Sequence, residues 1–281
     1  MKLQYIGTAA AEGIPALFCN CDTCREAMRR GGRDLRMRSG AIVNDNLIID
    51  LNPDLYAAKL RFGLDLSGVR NAIITHAHSD HFDRELMGCF TPVCAHIAKT
   101  GDQFHLWGSA YTASAWKEYT TTMQMKEPRL EEYVVFHVLK PYEPVEIEGV
   151  RITPIKGRHS CPESLIYILE QGDARLFYAN DTGPMEEETW AYLSAHSERP
   201  FTTISLDSTM GYQQNTYYGH MSLEENIATR KRLLEEGIAD ENTRFLCHHF
   251  SHNARVLQNE TEAYMKPYGF MVAYDGLTLD V

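Results

Sequence analysis

Short apolar runs bounded by turn-forming residues recur along this chain and predict a fold rich in β-strands. Runs of this kind, ended by Gly, Asn or Asp, are typical of buried strands. They fall into two groups, one in each half of the chain. The predicted strands cover residues 3–7, 40–43, 46–50, 72–75, 145–148, 150–156, 164–170, 174–180 and 202–207.

Two segments between the strands carry helix signals. Residues 222–236 open with a capping box formed by Ser222 and Glu225, place apolar residues on one stripe, and end at Gly237. Residues 53–61 form the second predicted helix. The chain therefore alternates strands with helices rather than consisting of strands alone.

This alternation predicts an α/β fold, an αββα sandwich of two mixed β-sheets with external helices. No internal repeat, low-complexity tract or flexible linker interrupts the sequence, so we expect one domain over residues 1–281. Residues 86–142 depart from the pattern and are rich in aromatic side chains. They are predicted to form an inserted, partly helical element.

The charge balance narrows the classes of partner. Lys and Arg number 27, Asp and Glu number 38, and the net charge is −11. Such a charge disfavours nonspecific binding to nucleic acids and to anionic membranes. No apolar run approaches the roughly 20 residues that cross a bilayer, so no membrane segment is expected.

The cysteines point to metal rather than to disulfides. Three of the seven are clustered as Cys19-x-Cys21-x-x-Cys24, and the start of the chain has no apolar stretch of the secretory kind. Without an export signal, such clustering favours metal binding and a cytoplasmic location. A structural zinc site closes with four ligands, so one is missing from the cluster. Three free thiols are the alternative interpretation.

The most informative segment is residues 76–81, with the sequence His-Ala-His-Ser-Asp-His, directly after a predicted strand. Alternate side chains of an extended chain share a face, so His76 and His78 can reach one metal ion. If the chain then turns, Asp80 and His81 reach a second, adjacent ion. Paired divalent cations activate water for hydrolysis. A polar turn with incidental histidines is the weaker interpretation.

Two cations need further ligands, and three candidates follow apolar runs later in the chain. They are His159, Asp181 and His249. Side chains at strand ends can converge on one rim, where loops tolerate exposed polar groups. His248 competes with His249 for the last position, and the sequence leaves that choice open.

The chain resembles the metallo-β-lactamase superfamily, whose hallmark is His-x-His-x-Asp-His followed downstream by a His, an Asp and a last His. Within it, the resemblance is strongest to the cyclic phosphodiesterases of the carbon–phosphorus lyase pathway. It extends to the glycine-rich turn at 7–15, the cysteine cluster, the segment 218–222, His249-x-x-His252 and a terminal strand at 272–276.

The resemblance implies a ligand set for two active-site cations. His76, His78 and His159 would hold one, Asp80, His81 and His249 the other, and Asp181 would bridge them. A hydroxide between the cations would be the nucleophile. Zinc suits the imidazoles and manganese the carboxylates, and the sequence does not choose between them.

Other residues acquire roles in the same way. The resemblance makes His220 a contact to the substrate phosphate or the general acid for the leaving oxygen, with Asp80 also catalytic. It makes His252 the fourth ligand of a structural zinc with Cys19, Cys21 and Cys24. Independently of the resemblance, Asp50 and Asp207 end apolar runs, and we expect them to orient ligand histidines.

The expected function is therefore a binuclear metal-dependent hydrolase of a small phosphodiester, cyclic or linear. Same-fold alternatives are a hydrolase of a lactone, a thioester or a cofactor-biosynthesis intermediate, and a tRNA-processing endonuclease, which the net charge disfavours. A non-catalytic, metal-stabilised binding module is the remaining alternative. A small-molecule substrate is the expected partner, and a homodimer is compatible with the sequence.

Overall fold

Two mixed β-sheets with helices on their outer faces form the part of the chain that the structure describes. The structure is a computed structural model and describes residues 1–123, 129–214 and 217–281. Within those residues each sheet has seven strands. The predicted αββα sandwich is confirmed.

The first sheet is built mainly from the first half of the chain. Its strand order is β14-β1-β2-β3-β4-β5-β6, antiparallel from β14 to β3 and parallel from β3 to β6. Numbered in chain order, the strands are β1 (Lys2–Gly7), β2 (Gly40–Val43), β3 (Leu47–Ile49), β4 (Asn71–Ile73), β5 (Phe104–Gly108), β6 (Val134–Val138) and β14 (Thr278–Asp280).

The second sheet follows the same plan. Its order is β13-β12-β11-β10-β9-β8-β7, antiparallel from β7 to β10 and parallel from β10 to β13. The carboxyl ends of β8, β10, β11 and β12 therefore lie at one edge. The strands are β7 (Val145–Ile147), β8 (Val150–Lys156), β9 (Leu165–Gln171), β10 (Ala174–Ala179), β11 (Thr203–Asp207), β12 (Arg244–His248) and β13 (Phe270–Val272).

Helices cover the outer faces of both sheets. The predicted capping box is confirmed, because the Glu225 amide donates to Ser222 Oγ and the Ser222 amide to the Glu225 carboxylate. No helix among the described residues is long and apolar enough to cross a bilayer. The helices are α1 (Asp22–Arg30), α2 (Leu55–Phe62), α3 (Ala110–Met123), α4 (Glu187–Ala195), α5 (Leu223–Glu235) and α6 (Gln258–Met265).

The apolar core has three layers. Buried side chains of both sheets, such as Tyr5, Tyr167 and Tyr178, fill the space between them. A second cluster packs α2 and α3 on the first sheet, and a third packs α4, α5 and α6 on the second. The charged loops at the sheet edges therefore rest on a rigid base.

Two parts of the chain differ from the sequence-based expectation. Residues 86–142 do contain a helix, but they also supply β5 and β6, which extend the first sheet. The terminal strand predicted at 272–276 is wrong, because β13 ends at Val272 and the chain then turns. Gly276, at φ 91°, and its hydrogen bond to the Tyr5 carbonyl carry the chain across to the first sheet.

Candidate metal centre

The histidine-rich segment forms a tight turn beyond the end of β4. The amides of His81 and Phe82 donate to the His78 carbonyl at 3.1 and 2.8 Å. The amide and hydroxyl of Thr75 donate to the Asp50 carboxylate, at 2.7 and 2.9–3.0 Å, which fixes the start of the turn. The turn directs His76, His78, Asp80 and His81 toward one edge of the sandwich.

The structure brings the first predicted ligand set together. His76 Nε2 lies 3.0 Å from His78 Nδ1, and His159 Nε2 lies 3.2 Å from the same atom. Asp181 reaches His76 Nε2 at 3.3 Å and His159 Nδ1 at 3.2 Å. One ligand atom from each of the four residues lies within 4.8 Å of the others.

The second set shares Asp181 with the first. His81 Nε2 lies 3.2 Å from Asp80 Oδ2, 3.1 Å from Asp181 Oδ2 and 3.4 Å from His249 Nε2. These four residues also place their ligand atoms within 4.8 Å of one another. Two ligand clusters therefore overlap at one buried carboxylate.

The clustered side chains fit divalent cations. Pairs of imidazole nitrogens face one another at 3.0–3.4 Å. Two such nitrogens form a hydrogen bond only if one carries a hydrogen and the other has a free lone pair. Asp181 Oδ1 is buried and makes no well-oriented hydrogen bond to the described residues, although two imidazole nitrogens lie within 3.2 Å. A cation would satisfy both the lone pairs and the carboxylate.

The surroundings of Asp181 and His76 lower the pKa values of both, which favours an ionised carboxylate beside a neutral imidazole. Burial opposes ionisation of Asp181, but His249, His220 and His81 outweigh it and hold the pKa of that carboxyl well below its usual value. Burial, followed by repulsion from His81, lowers the pKa of His76. A carboxylate facing a neutral imidazole is the ligand pair that a divalent cation requires.

Hydrogen bonds behind the cluster orient its imidazoles. Asp50 Oδ2 lies 2.7 Å from His81 Nδ1, in agreement with the predicted role of Asp50. Thr209 Oγ1 lies 2.7 Å from His249 Nδ1 and donates to Asp207 at 2.9 Å. Thr209 could not be predicted from the sequence, because an isolated threonine after a strand carries no distinguishing signal. Such outer contacts fix the ring nitrogen that faces the metal.

His220 lies beside the shared carboxylate. Its Nδ1 is 3.0 Å from Asp181 Oδ1 and 3.2 Å from Asp207 Oδ2. Burial would lower the pKa of His220, but Asp207 and Asp181 outweigh it and raise the pKa to about 11. His220 is thus held close to the reacting centre by two carboxylates, and its side chain is 17% exposed.

The two adjacent histidines, His248 and His249, lie in different environments. His248 is fully buried between the sheets, where Ser39 Oγ lies 2.8 Å from its Nε2. His249 takes a left-handed backbone conformation, φ 63°, and projects into the cluster instead. Asp181 and Asp50 adopt the same conformation, at φ 51° and 64°. Such backbone strain is concentrated at functional sites.

The cysteine cluster is also assembled. Cys19, Cys21, Cys24 and His252 place their ligand atoms within 4.8 Å of one another, with Cys21 Sγ 3.4 Å from His252 Nδ1. This donor set matches that of structural zinc sites. The cluster joins the start of α1 to the segment that carries His249.

Residues 45–250, which include both active-site clusters, match the family described as the beta-lactamase superfamily domain. The chain belongs to the β-lactamase superfamily. Together with the two ligand clusters, this membership makes it a metal-dependent hydrolase with the metallo-β-lactamase fold.

Several solved structures share the fold of the chain. A diphosphatase from the PhnP family has 21% identity and a TM-score of 0.75, covering 100% of this chain and 97% of its own. Zinc-bound PqqB from Methylobacterium extorquens has 18% identity and a TM-score of 0.74, with 100% of both chains covered. Human tRNase Z, short form, has 14% identity and a TM-score of 0.67, with 100% and 99% covered. No curated protein sequence matches the chain.

The cleft of this superfamily member opens directly over the shared carboxylate. It has a volume of about 270 Å³. Besides residues of the two clusters, its walls include Glu12 from the glycine-rich turn and Tyr217, whose ring neighbours that of His220. Glu12 also accepts a hydrogen bond from the Ser251 hydroxyl, and the Ala10 amide donates to the Phe250 carbonyl at 2.9 Å. The glycine-rich turn is therefore fixed to the segment that carries His249.

Replacement of Cys21 by serine is expected to remove one metal ion per chain and to leave the other ions bound. A site that binds only the folded state contributes about 4 kcal/mol to the free energy of unfolding when free metal is 1,000 times the Kd. Elemental analysis and thermal unfolding measure the two effects. Cys89→Ser, at an exposed cysteine outside the cluster, is the control. Equal metal content and Tm in both variants would refute a structural site here.

Proposed function

We propose that the chain is a binuclear metal-dependent phosphodiesterase that acts on a small phosphodiester. The observation that carries the proposal is the pair of ligand clusters that share Asp181, with His220 3.0 Å from the shared carboxylate. The names of two structural neighbours, a diphosphatase and a tRNase, describe cleavage of phosphate linkages and support this choice.

Each cluster is assigned one cation. His76, His78 and His159 would hold the first, Asp80, His81 and His249 the second, and Asp181 would contact both. Zinc or manganese fits this set of imidazoles and carboxylates. When bound, the cations would lower the pKa of a water molecule and neutralise charge on the phosphate.

Side chains of the protein would bind and transfer the protons in this reaction. His220 Nδ1 faces Asp207 and Asp181, so we assign contact with the substrate to Nε2. A proton held at Nε2 can pass to the leaving oxygen, and Asp207 keeps the ring oriented and stabilises its charge. Asp80 lines the cleft, and its carboxylate can accept a hydrogen bond from the attacking water.

The cleft favours a small molecule as substrate. Its volume, about 270 Å³, is close to the lower end of the range for small-molecule sites, roughly 300 Å³. The net charge of −11 disfavours binding of a large polyanion such as a nucleic acid. We therefore infer that tRNA is not the substrate. The free thiols of all seven cysteines are compatible with a cytoplasmic location.

The test is a substrate panel with the metal-loaded protein. We expect turnover of bis-p-nitrophenyl phosphate and of cyclic phosphodiesters, loss of turnover in a chelator, and recovery with zinc or manganese. His78→Ala should abolish it, while Lys231→Ala on the exposed face of α5 should not. Turnover of lactones or thioesters without any turnover of phosphodiesters would overturn the proposal in favour of another hydrolase of this fold.

A further inference from the structure

A row of planar side chains begins at His220 and Tyr217 in the wall of the cleft and continues through Tyr218 to Arg158. The rings of Tyr217 and His220 have centroids 5.4 Å apart, and those of Tyr217 and Tyr218 are also 5.4 Å apart. The Arg158 guanidinium lies 5.8 Å from the centre of the Tyr218 ring. Tyr217, Tyr218 and Arg158 have no role in the proposed chemistry.

The position of Tyr217 is set by the backbone next to it. A Cβ atom on Gly219 would lie 2.7 Å from Tyr217 Cε1 and 3.3 Å from His159 Nδ1. The ring therefore packs directly on the Gly219 backbone, close to a metal-ligand histidine. Only the absence of a side chain at residue 219 allows the ring to lie this close to the reacting centre.

Tyr217 remains open to the cleft in this position. Tyr217 lines the cleft, and the residue is 37% exposed although its ring contacts two neighbouring rings. A fixed aromatic ring that is accessible from a substrate cleft can stack on a planar group of the ligand. Arg158 forms no ion pair with the described residues and adds positive charge behind Tyr218.

We propose that Tyr217 is a specificity-determining residue that stacks on a planar aromatic substituent of the substrate, with Tyr218 and Arg158 behind it. The inference rests on the proposed function, because the phosphate must lie at the metal cluster for the substituent to reach Tyr217. It narrows the substrate class to phosphodiesters that carry an aryl or heteroaryl group. Alkyl and simple sugar phosphodiesters should be poorer substrates.

The test compares two ligands that differ by one aromatic ring system. Adenosine 5′-monophosphate and ribose 5-phosphate share a phosphate and a ribose, and only the first has a base. Isothermal titration calorimetry on the metal-loaded protein measures both dissociation constants without requiring turnover. We expect the nucleotide to bind at least about tenfold more tightly, as stacking on one aromatic side chain typically provides.

Substitutions then assign the preference to one ring. Tyr217→Leu should remove the tenfold preference and leave the dissociation constant of ribose 5-phosphate within about twofold. Tyr217→Phe keeps the ring and should keep the preference. Tyr212→Leu is the matched control, because this tyrosine of the same segment contacts Thr261 and Tyr264 instead of the cleft.

The outcomes separate this inference from the proposed function. Equal binding of the two ligands by the unmodified protein, or an unchanged preference in Tyr217→Leu, would overturn the stacking role even if phosphodiesters are hydrolysed. A preference that depends on Tyr217, in a protein that hydrolyses no phosphodiester, would support the aromatic site and overturn the proposed reaction. Failure to bind either ligand would overturn the inference.

Discussion

Replacing Asp181 with alanine is expected to lower hydrolysis by on the order of 10³ or more. Loss of groups that merely support metal ligands typically costs 10–100-fold, and Asp181 lies at the centre of both clusters. Its removal leaves the first proposed ligand set with three histidines and no carboxylate, and leaves Asp80 as the one carboxylate of the second set. The cation charge would then be less well balanced at both positions, and the affinity for both should fall.

Elemental analysis and kcat measured on one preparation test this expectation. The Asp181→Ala protein should lose the active-site ions and keep the ion at the cysteine cluster. Asp173→Ala, in the exposed turn between β9 and β10, provides a control that removes a carboxylate far from any ligand. A variant that keeps both active-site ions and near-normal kcat would show that the shared carboxylate is not a ligand.

The second large effect is expected at His220. For a phosphodiester with an alkyl leaving group, His220→Ala should lower kcat by about 10²–10⁴, the usual contribution of a positioned general acid. The metal content should stay unchanged, since the two proposed ligand sets are complete without this residue. His196→Ala, at an exposed histidine after α4, is the control for loss of an imidazole elsewhere.

The leaving group distinguishes the two roles of His220. A p-nitrophenolate leaves without protonation, whereas an alkoxide needs a proton. A general acid therefore predicts a large loss of rate with alkyl leaving groups and a small loss with p-nitrophenyl ones. Equal losses for both would assign His220 to phosphate contact. Loss of a metal ion in His220→Ala would instead make it a ligand, as its proximity to Asp181, Asp207 and His249 permits.

The elements predicted best are those whose signals are local. The capping box at Ser222 and the strand at 150–156 are confirmed, because a cap and a short apolar run are both signals carried by neighbouring residues. Strands β5 and β6 were missed, since they are held by parallel pairing with distant segments. Helix α1 was missed because it buries only Thr23, Cys24 and Ala27 and has no broad apolar stripe.

The candidate site also combines features that a local sequence pattern predicts with features that depend on the folded backbone. The spacing of His76, His78, Asp80 and His81 predicted a convergent cluster, and the structure assembles it. The choice between His248 and His249 depended on a single left-handed residue at the end of β12, which no pattern in the sequence indicates. Tyr217 was missed for a similar reason. The stacking role proposed for Tyr217 depends on the packing of its ring over Gly219. The sequence shows only a tyrosine in a loop, which carries no signal of that packing.

The pairing of β14 with β1 has a consequence for biosynthesis. Lys2 is opposite Asp280 in this pair, so the edge of the first sheet stays open until residues 278–280 have left the ribosome. At a synthesis rate of 5–20 residues per second, that interval is roughly 15–55 s. An unpaired edge invites association with other nascent chains, so this protein should depend on chaperones during translation more than one built from sequential hairpins.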